Sequence, residues 1–269
     1  MTDALEEAVS ALRGQTIAVL TGAGVSTDSG IPDYRGDGAP VRTPMTVQQF
    51  LEDDRHRRRY WAGSHLGWRR FTSVKPNAGH HALAAMEAAG QVSGVLTQNV
   101  DGLHRQAGSR RVVELHGAMG QVRCLDCGQL VARETVAARL AAANPWIDTA
   151  SEVELAPDGD VAVGQLGDFV VPVCTVCGGT LKPDVVFFGE LIPPVRFHAA
   201  ADVVRSAGAL LIAGSSLVVN SGIRLLDIAV KRRIPVVIVN RGPTRGDARA
   251  TVRLEAGTSE TLAALAGRL

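Results

Sequence analysis

Lysine is scarce in this 269-residue chain: of 28 basic residues only Lys75, Lys182 and Lys231 are lysines, and arginine supplies the rest. Aromatic residues are few, at 4%, and 27 acidic residues bring the net charge to +1. A near-neutral chain has no global field to draw in nucleic acid or an anionic membrane, so neither is expected as a partner. No apolar run reaches the roughly 18 residues that a membrane span needs. The opening stretch, MTDALEEAVSALRGQ, carries acids and lacks an apolar h-region. It reads as an amphipathic helix with Asp3 as its cap and Glu6 three residues on, and not as a signal or transit peptide. A cytoplasmic monomer is therefore expected. Internal repeats and low-complexity tracts are also missing. The weight of Arg, Ala and Val suggests a GC-rich bacterial genome.

What is present is apolar: 46% of residues are hydrophobic, enough for a sizeable core in one or two domains. Five β-branched runs end in Gly, Ser, Thr or Asn: Thr16–Gly24, Val92–His104, Arg111–Gly117, Ala209–Ser216 and Ile234–Gly242. Continuous apolar strands imply burial on both faces, hence a parallel sheet. Helical patterns at Gly79–Gly90 and Ser221–Arg233 alternate with them, which gives a doubly wound, Rossmann-like α/β fold. Ligands of such sheets sit at the carboxyl ends of the strands. Two segments break the rhythm and are expected to form a second, smaller lobe. One is a helical insertion, residues 37–75; the other is residues 121–183, which hold all four cysteines. Residues 1–36, 76–120 and 184–269 make the larger nucleotide-binding lobe.

Cys124 and Cys127, then Cys174 and Cys177, form two C-x-x-C pairs, each beside a glycine, Gly128 or Gly178. Two knuckles present four thiolates, the set that structural zinc takes. Disulfides and free thiols are the alternatives, and a chain without a secretory leader disfavours the first. The gap between the pairs exceeds the usual spacing, so the ribbon carries an insertion. A closed four-thiolate site leaves no open position, so this zinc holds structure and does not catalyse.

The first strand runs into Gly22-Ala23-Gly24, a turn suited to phosphate. A Rossmann fingerprint would place a third glycine where Thr27 stands, so a simple strand-to-helix turn stays open. The continuation, Ile31-Pro32-Asp33-Tyr34-Arg35, sets charge beside an aromatic in a Gly/Pro-bounded loop that can close over a ligand. The second strand ends in Gln98, Asn99 and Asp101, which offer the acceptors and donors an amide ligand needs, or an Asx turn. The third ends in His116 beside Gly117; an imidazole is suited to moving a proton near neutral pH, though a lone histidine is also a common core residue. His56, His80 and His81 carry no assigned role, and His104 reads as structural.

In this order, GAGVSTDSGIPDYRG, TQNVDGLH, ELHG, the two C-x-x-C pairs, LKPDVVFFGE, GSSL and VN resemble the sirtuin family of NAD-dependent protein lysine deacylases, over nearly the whole chain. The resemblance is nearest to the class II branch, which includes a mitochondrial vertebrate member. Tyr34 where many sirtuins carry Phe, APDGD between the cysteine pairs, and GPTRGD (Gly242–Asp247) point there. The resemblance implies NAD as a consumed co-substrate and an acylated-lysine protein or peptide as partner. It implies that Gly22, Ala23, Gly24 and Thr27 cradle the diphosphate. Ile31, Pro32, Asp33, Tyr34 and Arg35 would cover the cofactor. Gln98, Asn99, Ile31 and Asp101 would form the nicotinamide and ribose pocket. His116 would be the general base with Asn99 beside it. Gly214, Ser215, Ser216, Asn240, Arg241, Gly242 and Thr258 would hold the adenosine half. Val186, Phe187, Phe188, Gly189 and Glu190 would pair as a strand with the substrate peptide. Nicotinamide, free lysine and acyl-ADP-ribose are the products implied. A closing aromatic loop would keep water from hydrolysing NAD.

One departure concerns acyl choice. Some class II sirtuins recognise acidic acyl groups with a Tyr-x-x-Arg pair; the matching positions here are Ser64 and Gly67. Succinyl specificity is therefore not expected. Trp61, Trp68, Arg69 and Arg70 could line a wider tunnel for hydrophobic or longer groups of the lipoyl or biotinyl class. The other reading of this stretch is an amphipathic helix pair with Trp in the core and Arg in water. Protein mono-ADP-ribosylation at the same site, and a zinc-ribbon module that binds nucleotide without turnover, are the competing functions.

Overall fold

The structure, a computed structural model, describes residues 2–34, 44–147 and 168–269. Arg35 and the APDGD stretch lie outside them. The strands are β1 (Ile17–Thr21), β2 (Val92–Thr97), β3 (Val112–Glu114), β4 (Gly117–Cys124), β5 (Leu130–Ala132), β6 (Leu181–Val185), β7 (Ala209–Ala213), β8 (Val236–Val239) and β9 (Val252–Leu254). The helices are α1 (Thr2–Leu12), α2 (Val47–Glu52), α3 (Asp54–Ser73), α4 (Ala78–Ala88), α5 (Leu103–Gln106), α6 (Arg133–Ala143), α7 (Pro194–Ser206), α8 (Asn220–Lys231) and α9 (Thr258–Ala266).

Six strands form one parallel sheet in the order β3-β2-β1-β7-β8-β9. Strand order reverses between β1 and β7, and that is where an open α/β sheet offers its crevice. Every residue of β1 is buried. Ile17 and Val19 face a core shared with α1, α4 and α9, while Ala18 and Leu20 face one shared with α7 and α8. Burial on both faces explains why β1 reads as a continuous apolar run. The strand β9 was not foreshadowed: three residues are too short for a periodic signal. Asp3 lies inside the first turn of α1, which starts at Thr2, and does not cap it from outside. Its carboxylate still suits the positive end of the helix.

A second, antiparallel sheet, β5-β4-β6, carries the cysteines. Helices α2, α3 and α6 pack with it around Phe50, Tyr60, Trp61, Met119 and Phe169. The tryptophans answer the question left by the sequence. Trp61 is fully buried and donates from Nε1 to the Leu181 carbonyl at 3.2 Å, and Arg69 and Arg70 are exposed. This is the amphipathic arrangement, and it overturns the tunnel lining expected of Trp61, Arg69 and Arg70. Trp68 stacks on Phe71, and both line a groove of about 660 Å³ together with Asp101 and Glu114. Ser64 is buried and takes a hydrogen bond from Arg133, whose guanidinium lies 4.6 Å over the Trp68 ring.

Candidate active site

The crevice is built first by glycine. A Cβ on Gly22 would come within 2.7 Å of the Gly214 carbonyl oxygen, and one on Gly24 within 2.9 Å of Gly214 Cα. Gly214 itself sits at φ +62, where a Cβ would meet Val25 N at 2.4 Å. The loops after β1 and β7 therefore touch backbone to backbone, which only glycine permits. The N–H groups of Gly22 and Gly24 are bonded to the carbonyls of Ala213 and Gly214, at 3.1 and 2.9 Å. What these two glycines contribute is close approach of the loops, not free donors.

Around this turn the expected residues converge. Asn99 donates from Nδ2 to the Gly22 carbonyl at 3.1 Å and to Ser26 Oγ at 3.0 Å. Ser26 Oγ donates in turn to Asp101 at 2.7 Å, and the Leu103 N–H bonds the same carboxylate at 2.9 Å. Burial pushes the Asp101 carboxyl up, against the pull of those two donors. Thr27 donates to the Gly24 carbonyl, as does Thr258 from the start of α9. Ser215 donates to Gln98 Oε1 at 2.7 Å, while Ser216 gives its carbonyl to the Arg245 N–H. Asn240 bonds the carbonyls of Arg241 and Gly242. Arg241 lays its exposed guanidinium over Gly257, where a Cβ would come within 2.8 Å of it. Ile31 is buried, Pro32 and Asp33 are half-buried, and Tyr34 meets Phe188 edge to face at 5.9 Å.

His116 closes the arrangement. Its Nδ1 lies 2.8 Å from the Gln98 carbonyl, so the ring donates there and leaves Nε2 as the basic nitrogen. Burial holds its pKa below the usual histidine range, and the charge of Arg196 adds to that; the bond to Gln98 works the other way. The Arg196 guanidinium is tied to Asp184 at 2.6 Å, and Arg123 binds the same carboxylate at 3.0 Å. None of these three was singled out by sequence, because their partners lie on separate elements.

The segment Val186–Glu190 differs in detail from the single peptide-pairing strand expected of it. Strand β6 stops at Val185. Val186 donates its N–H to the His116 carbonyl at 2.8 Å, and Phe188 bridges Thr46. Glu190 is held by the buried Lys182 ammonium at 2.9 Å and accepts from the Phe187 N–H, closing a turn around exposed Gly189. Phe187 packs against Phe50 and Tyr60, while Phe188 stays exposed.

The cysteines meet as two facing knuckles. Gly128 and Gly178, at φ +75 and +73, return their N–H groups to the carbonyls of Cys124 and Cys174. The four sulfurs lie within 4.8 Å of one another, with Cys124–Cys177 at 3.5 Å and Cys127–Cys174 at 3.8 Å. Four thiolates about 2.3 Å from a tetrahedral zinc stand about 3.8 Å apart, so the cluster fits that ion. The nucleotide side passes a similar test. The first turn of α9 has no side-chain cap, and Ser259 Oγ there is buried without a partner. Such a helix start keeps donors for an incoming acceptor.

A family model described as the Sir2 family matches residues 22–221. The chain is 51% identical to a Mycobacterium avium protein named NAD-dependent protein deacetylase 1, over 98% of this chain and 95% of that one. It is 45% identical to the human protein named NAD-dependent protein lipoamidase sirtuin-4, mitochondrial, over 91% of this chain and 80% of the relative. Among solved structures, one described as Sir2-p53 peptide-NAD+ superposes with a TM-score of 0.79 at 31% identity, covering 96% of this chain and 95% of the other.

Proposed function

The chain belongs to the Sir2 family, and from that premise we propose how its own residues carry out the NAD-dependent removal of acyl groups from protein lysines. The chain is an NAD-dependent protein deacylase with one structural zinc site, and its partner is an acylated-lysine protein or peptide. NAD, when bound, supplies the electrophilic ribose carbon and leaves as nicotinamide and O-acyl-ADP-ribose. The observation that carries our assignment of roles is the 2.8 Å bond from His116 to Gln98, which fixes the tautomer and leaves Nε2 free to take a proton.

In this reading the packed turn Gly22–Gly24 and the loop Gly214–Ser216 receive the diphosphate and adenosine ribose. Thr27, Asn240, Arg241, Gly242 and Thr258 complete that end. Gln98, Asn99 and Asp101 define the nicotinamide side, and the loop from Ile31 through Arg35 closes over it. Tyr34 and Phe188 shield the reacting centre from water, which keeps the site dry. Val186 to Glu190 present the peptide-facing edge, braced from behind by Lys182. Residues 37–75 and 121–183 make the small lobe, and the remainder makes the nucleotide lobe.

For the acyl group we propose apolar or longer chains of the lipoyl or biotinyl class. Ser64 and Gly67 are both buried and offer no cation, and the human relative is named a lipoamidase. The proposal includes a monomer in the cytoplasm that engages neither nucleic acid nor membrane; among the described residues no helix is long and apolar enough to cross a bilayer. The test is incubation with NAD and a panel of acylated lysine peptides, read by mass spectrometry. We expect acyl-ADP-ribose and free lysine, with long-acyl peptides turned over better than succinyl ones. Transfer of ADP-ribose onto protein without deacylation would overturn the reading.

A further inference from the structure

Ser221 is the residue at this site that its sequence context hides. It reads as part of a helix start, 105 positions from His116, and the fold brings the two together. Ser221 is the second residue of α8 and 5% exposed, and its hydroxyl lies 3.4 Å from His116 Nε2. The other ring nitrogen is already committed to the Gln98 carbonyl, which can only accept. The lone pair of Nε2 therefore faces a hydroxyl that can donate to it or accept from its proton.

We propose that Ser221 is a positioning residue for the base of the deacylation, a role that rests on reading His116 as that base. In the free protein, with the ring neutral, Ser221 Oγ donates to the single Nε2 lone pair and holds the imidazole in plane; an incoming ribose hydroxyl displaces that donation. When Nε2 takes a proton from a ribose hydroxyl, the new Nε2–H donates to Ser221 Oγ. Ser221 keeps its own proton throughout and only reverses the direction of its hydrogen bond. One proton moves, from the ribose oxygen to Nε2, and no other bond changes at the serine.

The need for such a partner follows from the surroundings. An imidazolium formed here is partly desolvated and feels the charge of Arg196 on α7, which Asp184 on β6 offsets at 2.6 Å. Among the described residues no carboxylate bonds the ring, so an oxygen acceptor at Nε2 is the nearest stabiliser of the charged form. The 3.4 Å separation is that of a loose contact, as catalytic hydrogen bonds are before substrate tightens them. The helix is also held in place. A Cβ on Gly222 would meet Leu217 Cδ2 at 2.9 Å and Gln98 Nε2 at 3.3 Å, so α8 starts hard against the residue that orients His116. Ser215, Gln98, His116 and Ser221 thus form one line of contacts that runs from the loop after β7 to the first turn of α8.

The experiment compares Ser221→Ala and Ser221→Thr, with Ser221→Cys used in place of alanine if that variant does not fold. The first readout needs no NAD: the imidazole of His116 is titrated by NMR in the free protein. A bond to the charged ring is stronger than one to the neutral ring, so loss of the hydroxyl lowers the His116 pKa, by about half a unit or more. Threonine keeps it near the parent value. The second readout is turnover: kcat falls roughly 3- to 10-fold in the alanine variant, its acid limb moves to lower pH, and KM for NAD and peptide stays put. An unchanged titration together with unchanged kcat would overturn the role of Ser221. Full turnover by His116→Ala would instead overturn the base itself, whatever Ser221 does.

Discussion

The imidazoles of His80 and His104 face one another with ring centroids 4.7 Å apart, both fully enclosed beside the Gly22–Gly24 turn. His104 Nε2 meets Thr21 Oγ1 at 2.9 Å, one residue before Gly22, and His80 is held by Asn77, which also bonds the Val25 carbonyl. Burial, with some repulsion from His81 on His80 and from His80 on His104, pushes His80 down to about 4 and His104 to about 3. The folded protein thus keeps both rings neutral, whereas the unfolded chain protonates them below about 6.5. Unfolded chain binds more protons in that window, so stability falls as pH drops from 6.5 toward 4. At pH 5 the two rings together cost about 4 kcal/mol relative to pH 7.5 as an upper figure. Chemical denaturation at several pH values measures this, and His104→Gln should flatten the acid limb.

Replacing the proposed base should separate binding from chemistry. His116→Ala is expected to lower turnover at least about 100-fold while leaving NAD affinity within a few-fold of the parent. Calorimetry with NAD and single-turnover assays read the two quantities. Loss of NAD binding would make the imidazole a structural prop.

Zinc removal should act on one sheet. Cys174→Ser, or a strong chelator, is expected to release the metal and unfold β4, β5 and β6 together with the packing of Phe169, while the parallel sheet keeps its structure. Metal analysis with hydrogen exchange follows both lobes. A zinc-free variant with an intact small sheet would contradict the ribbon.

Gly117 allows no side chain. It sits at φ +81, and a Cβ would come within 1.9 Å of the Asp184 carbonyl oxygen and 2.8 Å of Arg196 Nη1. Gly117→Ala is expected to cost about 3 kcal/mol or more and to move the neighbouring His116. Melting temperature and kcat should fall together.

Most of the parallel sheet was legible because buried strands leave long apolar runs and their turns leave glycines. The cysteine pairs were legible by spacing alone. The short β9 left too little pattern, and the cover of Trp61 by Leu181 could not be told from a tunnel wall, because both place a tryptophan on an apolar helix face. Arg196 and Ser221 stayed hidden for a common reason: each acquires its role from a partner on another element, Asp184 and His116 respectively, while Lys182 meets Glu190 within one LKPDVVFFGE stretch whose spacing does not pair them. The Glu190 case shows the cost. Glu190, expected to touch peptide, spends its carboxylate on a buried ammonium and on the Phe187 N–H.

The contact of Gly22 and Gly24 with Gly214 also limits how this protein can move. Backbones that already touch leave no slack along the midline of the six-stranded sheet. Any opening of the crevice to admit peptide and release product is therefore expected to leave the seam between β1 and β7 closed.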